Sequence, residues 1–234
     1  MLKALTTAIQ DFSYLFFPHN CLGCGTDVLG RDAMLCLQCL SNLPVTGFIQ
    51  QPGNPVEKVF YGRVHLQHAG AAFYFTKQSV MQSLVFALKY KGNKDAGLYL
   101  GRLLGLQLAE SGRFNAVDAI VPLPLNPKRE RQRGYNQATV IAEGMQTEWN
   151  RQVLPKAVVR KHNTQTQTHK GRIERWQSMQ DVFEVQDAAA LQNKHILLVD
   201  DVVTTGASLE ACAAPMLQVP GVTLSIATVA YTIL

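Results

Sequence analysis

The sequence predicts an α/β protein, a mostly parallel and doubly wound sheet preceded by a small N-terminal four-cysteine module. Three observations lead there. Short apolar runs rich in branched or small residues alternate with longer stretches of helical periodicity, as in strands joined by crossover helices. The polar stretches Pro122–Arg133, Arg160–Gln167 and Asp200–Ser208 each follow a strand run. All three therefore fall on one rim, the carboxyl ends where such sheets hold ligands. Four of the five cysteines arrive early, as two C-x-x-C pairs.

The 234 residues suit one full domain plus an appendage. An apolar content of 47% against 17% charged residues describes a soluble globular protein and excludes a disordered chain. The formal net charge is +5, and the excess is concentrated: Lys128–Arg175 holds eleven Lys/Arg against four acids. Such a region attracts phosphate, whether of a small ligand or of nucleic acid, and composition does not choose between them. No run approaches the roughly 18–20 apolar residues of a membrane span. Leu2, Leu5, Ile9, Phe12 and Phe16 recur at helical spacing, an amphipathic helix expected to pack on its own domain rather than on a membrane surface or partner. Thr6, Thr7, Gln10, Asp11 and Ser13 interrupt any signal-peptide core, so the expected compartment is the cytoplasm.

Cys21 and Cys24, then Cys36 and Cys39, form two knuckles that turn their thiolates toward one point and complete a tetrahedral sulfur cage. Gly23 and Gly25 suit the tight turn of the first. In a reducing compartment these cysteines persist as thiolates, and the expected ligand is a structural zinc with no open position for chemistry. Between the knuckles Arg31 is the sole cation, beside Asp27 and Asp32, so contact with DNA, contact with protein and plain structural support all stay open. Gln50–Pro55 reads as a linker, dividing a module at 1–52 from a main domain at 53–234.

In the main domain Ala69–Phe75 reads as a strand, with Val59–Leu66 a looser candidate before it. Val80–Leu88 is helical and stops at Gly92, where Lys89 and Lys91 complement the helix dipole. The leucines between Asp95 and Ser111 predict a deeply buried second helix. Ala119–Val121 is the next strand, broken by Pro122 and Pro124. Lys128–Gln137 reads as a mobile basic loop able to close on polyphosphate, ahead of a helix over Tyr135–Glu148. Val153–Val159 is another strand, followed by the hydroxyl- and amide-rich Asn163–His169 and a short helix with Arg172, Arg175 and Trp176. Phe183–Val185 is a short edge strand, His195–Val199 the central one and Val222–Tyr231 the last. Cys212 belongs to the apolar side of the final helix.

The most informative stretch runs from His195 to Cys212. A doubly buried strand ends on two carboxylates, Asp200 and Asp201, and a loop of small hydroxyl residues then opens into a helix. Backbone N–H groups from Val203 to Ser208, with the Thr204, Thr205 and Ser208 hydroxyls, suit a phosphate dianion; Gly206 and Ala207 let the backbone come close. Carboxylates at the strand end can accept hydrogen bonds from two vicinal ribose hydroxyls. This order of parts resembles the 5-phosphoribosyl-1-pyrophosphate (PRPP) signature of type I phosphoribosyltransferases.

Taken with the rest, the chain resembles the ComF family, a C4 zinc module joined to a phosphoribosyltransferase-like domain. The marks are the two C-x-x-C pairs, Leu43-Pro44, LKYKG at Leu88–Gly92, the stretch from Val121 to Gln137 ending in RGYNQ, Thr164 and Gln167, and VDDVVTTGAS at Val199–Ser208. Ser178 stands where the family often has asparagine. The resemblance implies PRPP binding with Mg²⁺ and a part in natural competence, the uptake and processing of transforming DNA. It adds Lys89, Lys91 and Arg129 to the phosphate ligands. Two functions follow. In one, a binding protein holds PRPP or a related ligand and engages single-stranded DNA and competence proteins through its basic face or zinc module. Tyr135, Asn136, Gln137, Arg160, Thr164, Gln167, Arg172 and Arg175 are then candidate contacts, with Tyr135 and Trp176 the aromatics near cations. In the other, a phosphoribosyltransferase uses Asp200, Asp201, Arg131 and Arg133 in catalysis on an unidentified acceptor. The sequence leaves the oligomeric state open.

Overall fold

Branched apolar residues at both odd and even positions of His195–Val199 leave that run no solvent face, and it becomes the middle of five parallel strands. The computed structural model describes residues 20–27, 33–161 and 182–233; the expected N-terminal helix and Asn163–Trp176 lie outside them. The strands are β1 (Ala69–Phe75), β2 (Ala119–Pro122), β3 (Gln152–Val153), β4 (Val158–Arg160), β5 (Phe183–Val185), β6 (His195–Val203) and β7 (Thr223–Thr232). The main sheet runs β1-β7-β6-β2-β3, parallel at every pairing. The helices are α1 (Leu37–Ser41), α2 (Pro55–Phe60), α3 (Val80–Tyr90), α4 (Lys94–Ser111), α5 (Pro127–Arg133), α6 (Gln137–Glu148), α7 (Ala188–Leu191) and α8 (Ala207–Met216). Alternation along β6 splits the core. Leu197 and Val199 face α3, α4 and α6, whereas Ile196 and Leu198 face α2 and α8, which is the expected double winding.

Several segments depart from the sequence reading. Val59–Leu66 is no strand. Asn54 caps α2 by accepting from the Val56 and Glu57 N–H groups at 2.9 and 3.1 Å, Pro55 takes the first helical position, and this start signal outweighs the branched residues. The same Asn54 side chain donates to Phe48, Gln51 and Ala69 carbonyls, binding the expected linker to β1. The basic stretch is a helix and not a loop: Asn126 caps α5, Pro127 starts it, and Gly134 ends it at φ 83°. Arg131 and Arg133 then lie in its last turn, where the dipole favours cations. Val153–Val159 splits at Pro155, which lacks an N–H for the ladder. β3 stays in the main sheet, while β4 turns away to pair antiparallel with β5. β6 continues through both aspartates to Val203 instead of ending at them.

The expected deep burial of α4 holds on one side only. Leu100, Leu104 and Leu108 are buried, but Leu106 is 41% exposed. The buried stripe is led by glycine, because α4 and α6 touch backbone to backbone. A Cβ on Gly101 would stand 2.1 Å from the Ile141 carbonyl oxygen and 2.9 Å from Gly144 Cα, and one on Gly144 would stand 2.2 Å from Leu98 O. Neither neighbour is a flexible side chain that can yield. An exposed helical Gly→Ala gains up to about 1 kcal/mol, but overpacking a core costs about 1–3 kcal/mol. Gly101→Ala is therefore expected to lower the chemical-denaturation midpoint; an unchanged or higher midpoint would show that the helices can separate freely.

Candidate ligand groove and metal centre

β2 and β6 are neighbours, yet their chains leave in opposite directions. β2 passes through α5 to α6 on one face, and β6 passes to α8 on the other. The strand ends part there, opening the crevice that parallel sheets use for ligands. It holds a groove of about 450 Å³. Asp200, Asp201 and Val202 form its floor, and Leu123–Leu125 form the wall beyond β2. Thr204 and Ser208 bring hydroxyls from the β6–α8 turn, and Lys89, Arg129, Gln137 and Arg160 bring polar groups from four other elements or turns.

Successive residues of a strand point to opposite faces, so the two acids meet different partners. Asp201, 3% exposed, turns toward α3, where Lys89 Nζ approaches its Oδ2 to 2.9 Å. The approach lies off the direction of a hydrogen bond, and this buried oxygen keeps an unfilled acceptor position. Asp200 has no ion pair among the described residues. Burial pushes its carboxyl up to about 8, with the Asp201 charge adding to the shift; the Asp201 N–H, bonded to Asp200 Oδ1 at 2.8 Å, and then Lys89 and Arg133 oppose it. On the far side of the groove burial lowers the Arg160 pKa, and nearby Arg129 lowers it further. The Arg160 guanidinium rests 5.4 Å from the Phe183 ring centroid.

The β6–α8 turn is shaped for close approach. Gly206 has φ 72°, and a Cβ there would meet Val59 and Phe60 at 2.7 Å. Among the described residues no side chain caps α8, which leaves its first-turn N–H groups available to an anion. Arg63 fixes the turn from outside, donating to Thr205 O at 2.8 Å and pairing with Glu210. Beside the groove, and sharing Lys89 and Arg129 with it, a second cavity of about 620 Å³ is lined also by Tyr90, Gly92, Gln132 and Arg133.

The structure thus brings together Asp200, Asp201, Thr204, Ser208, Lys89, Arg129, Arg133, Gln137 and Arg160 around the two cavities. Val203, Thr205, Gly206 and Ala207 build the turn. Lys91 and Arg131 line neither cavity: Lys91 stands 5.9 Å from the Phe86 ring, and Arg131 donates to Pro127 O. Tyr135 is buried, its hydroxyl donating to Leu88 O and its ring covered by Lys94. Asn136 caps α6 and donates to Leu123 O at 3.0 Å, fixing the groove wall. Thr164, Gln167, Arg172 and Arg175 lie outside the described residues. Sequence reasoning missed the Lys89–Asp201 pair, the Arg63 tie and the place of Tyr90. Each joins positions far apart in the chain, and no local pattern announces them.

The four N-terminal cysteines converge, with their Sγ atoms all within 4.8 Å of one another. Cys24 and Cys36 Sγ lie 3.7 Å apart, far beyond a disulfide of about 2.05 Å and close to the edge of about 3.8 Å that a tetrahedron with about 2.3 Å zinc–sulfur bonds requires. Gly23 and Cys36 N–H groups donate to Cys21 Sγ at 3.4 and 3.3 Å, which suits a thiolate. Burial opposes that ionisation, yet these bonds, with the Cys24 amide and Cys39 thiol, bring Cys21 down to about 6. The cluster fits a zinc ion. Among the described residues no helix is long and apolar enough to cross a membrane.

A doubly wound parallel sheet with an acidic pair at its switch point, preceded by a four-cysteine cluster, defines the class. Relatives narrow it. The competence protein F of Haemophilus influenzae is 32% identical over 215 residues, 83% of this chain and 89% of its own length. The chain belongs to the ComF family. Competence protein ComFC of Bacillus subtilis is 32% identical over 99 residues, 42% of this chain and 38% of that protein. The DNA utilization protein YhgH of Escherichia coli is 28% identical over 141 residues, 59% of this chain and 61% of that protein. No family model matches the chain.

Two predictions come from this geometry. Metal analysis of the purified protein is expected to find one zinc per chain, absent from Cys39→Ser; a full zinc content in that variant would remove Cys39 from the cage. The second concerns pH. Asp200 titrates near 8 in the folded protein against an ordinary 3.8, so between those values the fold holds a proton that the unfolded chain releases. Stability is lost as pH rises through that window, and the loss is complete above it. Melting of unliganded Asp200→Asn against the parent should show a gain that is small at pH 5 and larger at pH 9; a pH-independent difference counts against the raised carboxyl.

Proposed function

We propose that the groove binds a phosphorylated pentose of the PRPP kind, and that the protein serves natural competence by acting on or around DNA brought into the cell. The observation that carries the ligand is the placing of an acidic corner and an uncapped helix N-terminus on one groove. Asp200 and Asp201 accept from the two ribose hydroxyls, and Asp201 Oδ2, ion-paired with Lys89 but without a hydrogen bond, has an acceptor position such a hydroxyl would fill. Thr204, Thr205, Ser208 and the first-turn N–H groups of α8 take the 5-phosphate. Lys89, Arg129 and Arg133 line the adjoining cavity and take the pyrophosphate. Magnesium would arrive on the ligand's own pyrophosphate oxygens and screen their charge. The relatives' names, competence protein and DNA utilization protein, support the biological setting.

A second reading, phosphoribosyl transfer, draws on the cationic cavity, which offers a leaving pyrophosphate somewhere to go. The acceptor's lone pair would form the bond to the ribose C1 while the C1–O bond breaks toward pyrophosphate. Asp201, and Asp200 once it has given up its proton, would stabilise positive charge at C1, and the acceptor's proton would pass to solvent.

Calorimetry with ribose 5-phosphate, and with PRPP plus magnesium, is the test. Binding is expected for the parent, with at least a tenfold loss in Asp200→Asn and Asp201→Asn and a further loss in Arg133→Ala for PRPP alone. Equal affinities in parent and aspartate variants would sink the ribose assignment. Pyrophosphate release with any of a panel of bases, abolished in Asp200→Asn, would favour the enzyme over the binder.

A further inference from the structure

The outer face of α3 carries two large aromatic residues that the core does not use. Phe86 is 49% exposed and Tyr90 is 70% exposed. They stand one helical turn apart, with ring centroids 5.1 Å from each other. Single exposed aromatics are ordinary on protein surfaces. This pair is set apart by its neighbours. Tyr90 itself lines the cationic cavity with Lys89, Arg129 and Arg133, and Lys91 Nζ lies 5.9 Å from the Phe86 ring. Among the described residues no carboxylate lines that cavity. A ligand suited to the place must offer both a flat apolar surface and negative charge.

We propose that Tyr90 and Phe86 form a stacking shelf for nucleobases whose phosphates enter the cavity lined by Lys89, Arg129 and Arg133. Base-on-aromatic stacking next to a positive groove is how single strands are held without sequence preference. Duplex DNA keeps its bases paired and cannot offer their faces to a shelf, so the site selects unpaired nucleotides. The inference takes its phosphate end from the cationic cavity of the proposed function, but the shelf is tested by the base alone. It also supplies the aromatic surface that Tyr135 does not, since that ring is buried beneath Lys94 and bonded to Leu88 O.

The shared chemistry is a nucleoside phosphate, from a free nucleotide or from a strand. Fluorescence anisotropy would compare labelled dT12 with a labelled abasic deoxyribose-phosphate 12-mer, and competition with dTMP would separate the two sources. The parent is expected to prefer dT12 to the abasic strand. Tyr90→Ala should weaken dT12 binding roughly 5- to 150-fold, the range for loss of one stacked base. Affinity for the abasic strand and for ribose 5-phosphate should not change. Phe86→Ala should act in the same direction and Tyr90→Phe should retain binding. Competition by dTMP at the affinity of dT12 per site assigns a free nucleotide, and weak competition assigns a strand; either supports the shelf. Equal binding of dT12 and the abasic strand by the parent, or an unchanged preference in Tyr90→Ala, overturns it. Failure of ribose 5-phosphate to bind, with the dT12 preference intact and lost in Tyr90→Ala, would remove the pentose reading and leave the shelf. Both rings face solvent, and unchanged melting of the variants would exclude misfolding as the cause.

Discussion

Two neighbouring carboxylates at the end of a buried strand are an electrostatic conflict, and the site is organised by its resolution. Backbone pairing through β6 carries both aspartates to the rim of the sheet, and strand geometry then turns them apart. Asp201 receives Lys89 from α3. Asp200 makes no ion pair among the described residues, and burial with the neighbouring negative charge raises its pKa against the weaker pull of Lys89 and Arg133. Environments that push paired groups apart mark sites where a proton or a hydrogen bond is managed. A ligand bringing two hydroxyl donors to the pair would relieve the conflict without adding charge. A phosphate would not, so in the proposed reading the dianion sits on the uncapped N-terminus of α8 and not on the acids.

Much of the fold is legible in the sequence. Alternating strand and helix patterns predict the parallel sheet, β1 lies at its expected residues, and the polar stretches after β2 and β6 meet at one rim because a parallel sheet sends every strand end the same way; of the third stretch, Arg160 reaches the groove from β4, outside that sheet, and 162–167 lie outside the described residues. The four cysteines converge because C-x-x-C spacing is local chemistry. What failed did so where a local signal was overridden or underweighted. The charges of 128–133 read as a mobile loop, yet Asn126, Pro127 and Gly134 are complete start and stop signals for a short helix. The leucines of α4 drew attention away from Gly97, Gly101 and Gly105, which decide how close α6 can come. Pro155 ends a strand that the branched residues around it would otherwise continue.

The side chains around the groove were harder to read, because their roles depend on distant partners. Tyr135 sits in a polar, basic stretch whose sequence predicts a contact residue. The fold spends it on the core, with its hydroxyl on a carbonyl of α3 and its ring under Lys94. Tyr90 lies in the last turn of a helix whose lysines have a sufficient local explanation in the dipole. Its position beside a cationic cavity appears only once α5 folds against the same opening. Asn136 does both jobs at once, capping α6 and tying the groove wall to it.

These features meet on α3. Its inner face enters the core that also receives Cys21, Leu35 and Cys39 of the cysteine module. Gly23 permits that contact, since a Cβ there would stand 2.8 Å from Cys39 Sγ and 3.2 Å from Val80 Cγ1 at the start of the helix. The far end of α3 holds Lys89 over Asp201 and presents Tyr90 to the cationic cavity. A metal that closes the cysteine cage therefore braces one end of the helix whose other end lines both cavities. A rigid helix transmits the position of one end to the other, so a zinc with no open coordination site can matter to ligand binding without touching the ligand. That gives the N-terminal module a physical connection to the groove that does not depend on its own contact with DNA or protein.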